Sequence, residues 1–363
     1  TLLSILRLIL KKKRPKWQVA FASFTGKATR ILEAKLKEEK AIFAKDRIST
    51  LHSLLYAPIM GKSGQIESWI RKDKFPYQLL VVDEASMITE DIWRDIQLTG
   101  MPVLAVGDHG QLPPIGSNFN LMAEANYRLE TIHRQAAGSP ILEVAQLARE
   151  KGVIPVQKFG DGVEKFNSQS SEAQVMMNDY FQTYQASTLF LTGFNNSRVQ
   201  INASIRAAQW RNPDQPESGD QVVCLKNDWE VGIFNGMTGK LQNLEVAKRD
   251  DEKIISYYGE VVDEFENIIF SGLMAAEQFN NPTTLKFSRI QQREIGQLFD
   301  YGYALTVHKA QGSQAPRVIV VEERSKHMDD EEWRRWLYTA VTRAEEELYI
   351  FGLDPEANLE NEQ

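Results

Sequence analysis

Two adjacent carboxylates, Asp83 and Glu84, follow directly on the apolar run Leu79-Leu-Val-Val82. A short apolar run of this kind reads as a buried strand of a parallel sheet. It would deliver both acids to the strand's carboxyl end, where open α/β sheets bind ligands. One carboxylate there can hold Mg²⁺ on a nucleotide and the second can polarise an attacking water. A solvated acidic turn after a buried strand would use the same residues. The pair alone leaves both readings open.

The surrounding chain must position that pair. Val19-Ala-Phe-Ala-Ser23 is a second buried strand, and Thr25-Gly-Lys-Ala-Thr29 opens a helix running to about Lys40. Pro102-Val-Leu-Ala-Val-Gly-Asp108 is a third strand with a polar end, leading into the rigid loop His109-Gly-Gln-Leu-Pro-Pro114. Neither of two glycine-lysine pairs makes a phosphate loop, which needs an earlier glycine and a following Ser or Thr. Gly26-Lys27 is followed by Ala28, and Gly61-Lys62-Ser63 has Tyr56 where the first glycine should stand.

With 363 residues the chain can form two or three domains with real cores. Its 42% hydrophobic and 25% charged content is that of a soluble globular protein. No apolar run approaches a membrane span, and no membrane association is expected. The single cysteine, Cys224, excludes an internal disulfide and a cysteine-cluster zinc site and suits a reducing cytosol. A net charge of −7 means that any nucleic-acid contact must come from a local groove.

Residues 1–14 read as a helix whose basic end, Lys11-Lys-Lys-Arg14, suits the helix dipole. Residues 57–76, rich in Gly, Pro, Lys and Ser, read as an inserted hairpin or loop. The first α/β lobe is expected over 1–151, ending in an amphipathic helix, Ser139 to Lys151. Residues 152–170 read as a linker. A second α/β unit then starts with helix 172–185, strand 187–192 and helix 196–210. Short strands and turns from 220 to 300 form a small all-β, barrel-like module, with Val231–Phe234 as one strand before the turn Asn235-Gly236. The second unit resumes over 301–353, where Tyr303 to Gly312 passes from strand into helix. The acidic tail 354–363 is expected to fray.

Six segments in order resemble superfamily 1 helicases, especially the RecD-like and phage Dda-like 5′-to-3′ branch. They are Thr25-Gly-Lys-Ala, Thr50-Leu-His52, Asp83-Glu-Ala-Ser86, Gly107-Asp-His-Gly-Gln-Leu-Pro-Pro114, Ala304-Leu-Thr-Val-His-Lys-Ala-Gln-Gly312 and Tyr338-Thr-Ala-Val-Thr-Arg343. Each is a weak or moderate signal, and their order across nearly the whole chain is a strong one. The resemblance implies two RecA-like parallel-sheet lobes, ATP and Mg²⁺ as cofactors, and single-stranded DNA and a duplex fork as partners, with the 57–76 insertion as a wedge. It also implies a cytoplasmic setting and work beside single-strand-binding, replication or recombination proteins. Asp83 would hold Mg²⁺, Glu84 would activate water, Gln111 would sense the γ-phosphate, and Arg134 and Arg343 would neutralise transition-state charge. Thr1, Gly312 and Gln314 would lie at the nucleotide. Phe24, Thr25, Lys27, His52, Thr306, His308 and Lys309 would contact DNA. A core role for Phe24 or His308, and a surface salt bridge for either arginine, are the alternatives.

The family's phosphate loop should directly precede Thr1, so the chain as given is expected to hydrolyse ATP poorly. Phe24 replaces the proline usual before Thr-Gly-Lys, and Gln314 replaces a glutamate. Two rivals keep most of these residues: an RNA-directed helicase of the same superfamily, and a non-catalytic single-strand-binding subunit with a vestigial ATPase.

Overall fold

A computed structural model of the chain describes residues 2–60, 66–114, 119–128, 139–228, 231–263 and 266–354. It divides into two compact units, Thr1–Glu130 and Thr131–Gln363.

In the first unit, α1 (Leu2–Lys13) leads to β1 (Val19–Ser23), α2 (Gly26–Glu38), β2 (Arg47–Thr50) and a short α3 (Leu51–Leu55). A hairpin of β3 (Tyr56–Met60) and β4 (Ile66–Arg71) follows, then β5 (Leu79–Asp83), α4 (Glu90–Gln97) and β6 (Val103–Ala105). The four main strands lie in the order β2-β1-β5-β6, and every pair is parallel. Both faces are covered, which is why β1 and β5 are unbroken apolar runs. Ala20, Ala22, Leu80 and Val82 pack with Leu51, Leu54 and Ile96 on one face. Val19, Phe21 and Val81 pack with Leu3, Leu32 and Leu36 on the other. Each large apolar side chain buried this way contributes roughly 1.5–3 kcal/mol. A buried ion pair fixes α1: the Arg7 guanidinium donates to both oxygens of Asp46 at 2.8 and 2.9 Å. Backbone amides of Val19 and Phe43 donate to the same carboxylate, so its lone pairs are filled.

The second unit begins with α5 (Pro140–Glu150), β7 (Lys158–Gly160), β8 (Val163–Asn167), α6 (Ser171–Gln182), β9 (Thr188–Thr192) and α7 (Asn195–Ala208). The all-β module comprises β10 (Gln221–Cys224), β11 (Thr238–Asp250), β12 (Lys253–Val262), β13 (Ile268–Ala275), α8 (Arg289–Ile295) and β14 (Phe299–Tyr301). The unit closes with β15 (Ala304–Thr306), β16 (Ala315–Val321), α9 (Asp330–Val341) and β17 (Ala344–Gly352). Its main sheet has the order β15-β9-β16-β17-β8-β7, parallel throughout except for the β7 edge. The module is a five-stranded sheet, β13-β12-β11-β10-β14. A parallel bridge between Met274 and Gln297 joins its two ends, with Ala275 N donating to Gln297 O at 3.0 Å and Gln297 N to Leu273 O at 2.7 Å. That bridge closes the sheet into a small barrel around Val222, Leu241, Val261, Phe270 and Phe299. Gly296 allows the closure: its φ is +124°, and a Cβ there would lie 2.4 Å from the Leu273 carbonyl carbon.

Several sequence expectations change. The stretch 152–170 is no linker, because β8 lies inside it and pairs with β17. Its strand signal is obscured by Lys165, a lysine that is buried because its ammonium meets Glu322 at 2.6 Å. Helix α5 lies in the second unit rather than ending the first, and Trp333 of α9 donates to the Gly152 carbonyl just beyond it at 2.8 Å. Val231–Phe234 makes one isolated bridge, Asp228 to Ile233, rather than a strand. After β15 the chain forms turns, not a helix. Residues 307–314 span only the gap between two parallel strands, too short for a helix that reverses direction, and Gly312 ends them with φ +75°. Gly61-Lys62-Ser63, Thr1, Arg134 and the acidic tail beyond Asp354 lie outside the described residues.

Candidate functional site

The register of the first sheet sets Thr50, Ser23 and Asp83 in one row at the carboxyl ends of β2, β1 and β5. Two helices start beside this row. Thr25 caps α2, its hydroxyl accepting from Ala28 N at 3.2 Å, and Thr50 caps α3, accepting from Ser53 N at 3.2 Å. Their free N–H ends make this edge of the sheet receptive to anions.

Glu84 follows Asp83 in the left-handed conformation, φ 53° and ψ 43°. A non-glycine residue there is held at a cost of about 1–3 kcal/mol, and such strain gathers at functional sites. Asp83 Oδ1 accepts from the Glu84 amide at 3.1 Å, and a 3-10 turn, Ala85–Met87, follows. The strand β6 and its loop pack directly behind. Ala85 N donates to Val106 O at 2.9 Å, and a Cβ on Gly107 would sit 2.8 Å from Ser86 N. The loop then folds on Asp108, whose Oδ1 accepts from Gly110 N at 2.9 Å while Oδ2 accepts from Gln111 Nε2 at 3.4 Å. Gln111 is thereby oriented and is only 3% exposed.

Polar atoms buried without a hydrogen-bond partner among the described residues include Ser23 Oγ, Ser49 Oγ, Ser86 Oγ and Gln111 Oε1. Buried unanswered polar atoms are rare, and they mark places where water, an ion or a ligand is to be bound. With the carboxylates of Asp83 and Glu84 beside them, the donor set fits a hydrated Mg²⁺ and a phosphate, since Mg²⁺ keeps its waters and takes only one or two carboxylates.

Of the residues expected at DNA in this unit, Phe24 and Thr25 are half-buried next to the α2 cap, and Lys27 lies in the first turn of α2. His52 packs its ring against Tyr56 at 4.7 Å and Trp69 at 4.6 Å. It therefore joins α3 to the β3–β4 hairpin. Burial and the neighbouring Lys72 charge lower its pKa to about 4, so the ring is neutral at physiological pH.

In the second unit the sites expected near nucleotide and DNA share one loop. Thr306 ends β15 and is buried, its carbonyl accepting from Lys309 N and Ala310 N at 2.9 and 3.1 Å. His308 is pulled below its ordinary pKa by burial. Burial and the Arg198 charge lower the Lys309 pKa to about 8. Gly312 and Gln314 flank Ser313, which tethers Arg343. The Arg343 guanidinium is 1% exposed and donates to Thr339 O at 2.9 Å, Ser313 O at 3.2 Å and Thr342 Oγ1 at 3.1 Å. A surface salt bridge is thus replaced by a fully buried cation that ties the end of α9 to the 306–314 loop.

Sequence reasoning missed Ser23, Ser86 and Asp108. Ser23 carried the same signal as Asp83, a polar residue ending an apolar strand. Asp108 carried a weaker one, an Asp-x-Gly turn.

Two family descriptions match the chain: an AAA domain over residues 1–117 and a UvrD-like helicase C-terminal domain over residues 301–351. Together with the two parallel-sheet units, they support the resemblance to superfamily 1 helicases. Among similar proteins, the ATP-dependent RecD2 DNA helicase of Deinococcus radiodurans is 28% identical over 368 residues, covering 92% of this chain and 43% of that protein. The RecBCD enzyme subunit RecD of Buchnera aphidicola is 24% identical over 419 residues, covering 97% of this chain and 68% of that one. Both similarities support the RecD-like branch of that superfamily. The chain spans less than half the length of the RecD2 relative. The crystal structure of a Pif1 helicase from Bacteroides with ADP-AlF3 and single-stranded DNA aligns over 99% of this chain and 95% of its own, at 16% identity and a TM-score of 0.48. Among the described residues, no helix is long and apolar enough to cross a membrane.

Proposed function

We propose that this chain carries the motor of an ATP-dependent DNA helicase that moves on single-stranded DNA in the 5′-to-3′ direction. The observation that carries this reading is the edge of the first sheet. There Asp83 of the carboxylate pair Asp83-Glu84 stands in register with Ser23, with Glu84 in the left-handed conformation, and Ser23 Oγ, Ser86 Oγ and Gln111 Oε1 are buried without a partner among the described residues. In this reading Asp83 holds the metal and Glu84, held in the left-handed conformation, takes a proton from the attacking water. Gln111, aimed by Asp108, contacts the γ-phosphate or that water. Mg²⁺, when bound, neutralises phosphate charge. The cations that such transfers need, each worth roughly 10³–10⁵ in rate in well-studied cases, would be Arg134, beyond the described residues, and Arg343 once its guanidinium leaves Thr339 and Ser313. Thr25, Lys27 and Lys309 contact DNA phosphates, which track a strand without reading its sequence. His52 and the β3–β4 hairpin meet the duplex at the fork.

The activity is assigned to the natural full-length protein. The similar protein named ATP-dependent RecD2 DNA helicase supports DNA rather than RNA as the track. The test is ATP hydrolysis with DNA or RNA oligomers, joined to unwinding of duplexes with a 5′ or a 3′ tail. Stimulation by DNA and unwinding from the 5′ tail are expected. Equal stimulation by RNA would remove the DNA assignment, and unwinding only from the 3′ tail would reverse the polarity.

A further inference from the structure

Ser23 stands in register with Asp83 on the neighbouring parallel strand, so the two Cα atoms are about 4.8 Å apart. The residues that alternate with them, Phe21 and Val81, pack on the α1–α2 face. Ser23 and Asp83 therefore project toward that same face at the strand ends. Ser23 is 0% exposed, yet its hydroxyl has no partner among the described residues. Nothing in the packing of β1 requires a hydroxyl here: the four preceding residues are all apolar and all buried. An alanine would fill the position without leaving a polar atom unanswered. The hydroxyl is thus a liability in the ligand-free fold and needs a compensating use.

We infer that Ser23 is a positioning residue for the metal of the hydrolytic site: its hydroxyl accepts a hydrogen bond from a water of the Mg²⁺ shell held at Asp83. This deepens the ATPase reading and rests on it. A carboxylate that binds Mg²⁺ through water sets the ion's distance but not the orientation of its shell. A second fixed acceptor, in register with the carboxylate, sets that orientation. Partners of this outer kind are commonly worth tenfold or more in metal affinity.

The test uses the natural full-length protein carrying Glu84→Gln, so that nucleotide binds without turning over. Binding of a fluorescent ATP analogue is titrated with and without Mg²⁺, and thermal melting is measured without nucleotide. Ser23→Ala is expected to raise the Mg²⁺ concentration for half-maximal binding by about tenfold. Metal-free binding should stay unchanged, and the melting temperature should be equal or higher, since an unanswered buried hydroxyl has been removed. A merely structural serine would lower the melting temperature and leave the Mg²⁺ response alone. An unchanged Mg²⁺ response in Ser23→Ala, with normal Mg²⁺-dependent binding in its parent, overturns the role of Ser23 and leaves the ATPase reading standing. That would also be the outcome if an ordinary ordered water served Ser23. No Mg²⁺-dependent binding by the parent would overturn the ATPase reading itself, and this inference with it.

Discussion

Gly107→Ala tests whether the loop behind β5 sets the geometry of Glu84. The added Cβ would lie 2.8 Å from Ser86 N, 3.1 Å from Ala85 N and 2.7 Å from Met122 Sδ. The methionine can swing aside, since thioether side chains adapt readily. The two backbone nitrogens cannot, because Ala85 N is bonded to Val106 O at 2.9 Å. Reaching ordinary van der Waals separation, about 3.5 Å, needs a retreat of roughly half an ångström or more by the segment that follows Glu84. Overpacking of this kind costs about 1–3 kcal/mol. The catalytic loss should be larger in proportion, because misplacing a reacting group by about 1 Å can cost roughly 10²-fold. The expected result is a urea midpoint shifted by no more than that cost, with nucleotide affinity within a few-fold of normal and turnover reduced by about 10- to 100-fold. Each is read on the natural full-length protein. Normal stability together with normal turnover would refute the coupling between β6 and Glu84.

Two further outcomes follow from the titrating groups. Lys309 has its pKa lowered to about 8, and a bound phosphate favours its charged form, so DNA affinity should fall as pH rises from 7.5 to 9. Lys309→Arg should remove that pH dependence while Lys309→Ala weakens binding throughout and lowers the salt slope by about 1; an unaltered pH profile in both would take Lys309 off the DNA path. For His52 the folded pKa, about 4, lies below its ordinary value of 6.5. The unfolded chain therefore binds more protons between these values. Stability is full above pH 6.5 and is lost as pH falls toward 4. The ring is only partly buried, so the loss should be well below the ~3 kcal/mol of the whole shift. His52→Phe should flatten stability over that window in urea melts, and an identical acid slope would contradict the packing described for it.

Much of this arrangement was legible in the sequence because it rests on strand ends. Asp83, Gln111 and Thr25 each follow or cap an apolar run, and the structure places all three at one edge of one sheet. The barrel was legible as short strands and an Asn-Gly turn. Its closure was not, because it depends on Gly296 meeting a backbone distant in sequence. Strand β8 was hidden because burial of Lys165 is decided by Glu322, 157 residues away. Arg343 could be singled out by its uncharged neighbours, but its carbonyl partner on Ser313 belongs to a loop that the sequence suggested was helical. Ser23 was passed over because a serine ending a strand is ordinary until its hydroxyl is found without a partner.

The central claim is that the carboxyl end of β5 hydrolyses a nucleoside triphosphate with Glu84 as the base. Single-turnover hydrolysis of Mg²⁺·ATP by the natural full-length protein carrying Glu84→Gln tests it most directly. Nucleotide should bind as before while the hydrolytic step slows by about 10²–10⁴-fold. Hydrolysis at the unaltered rate would contradict the account.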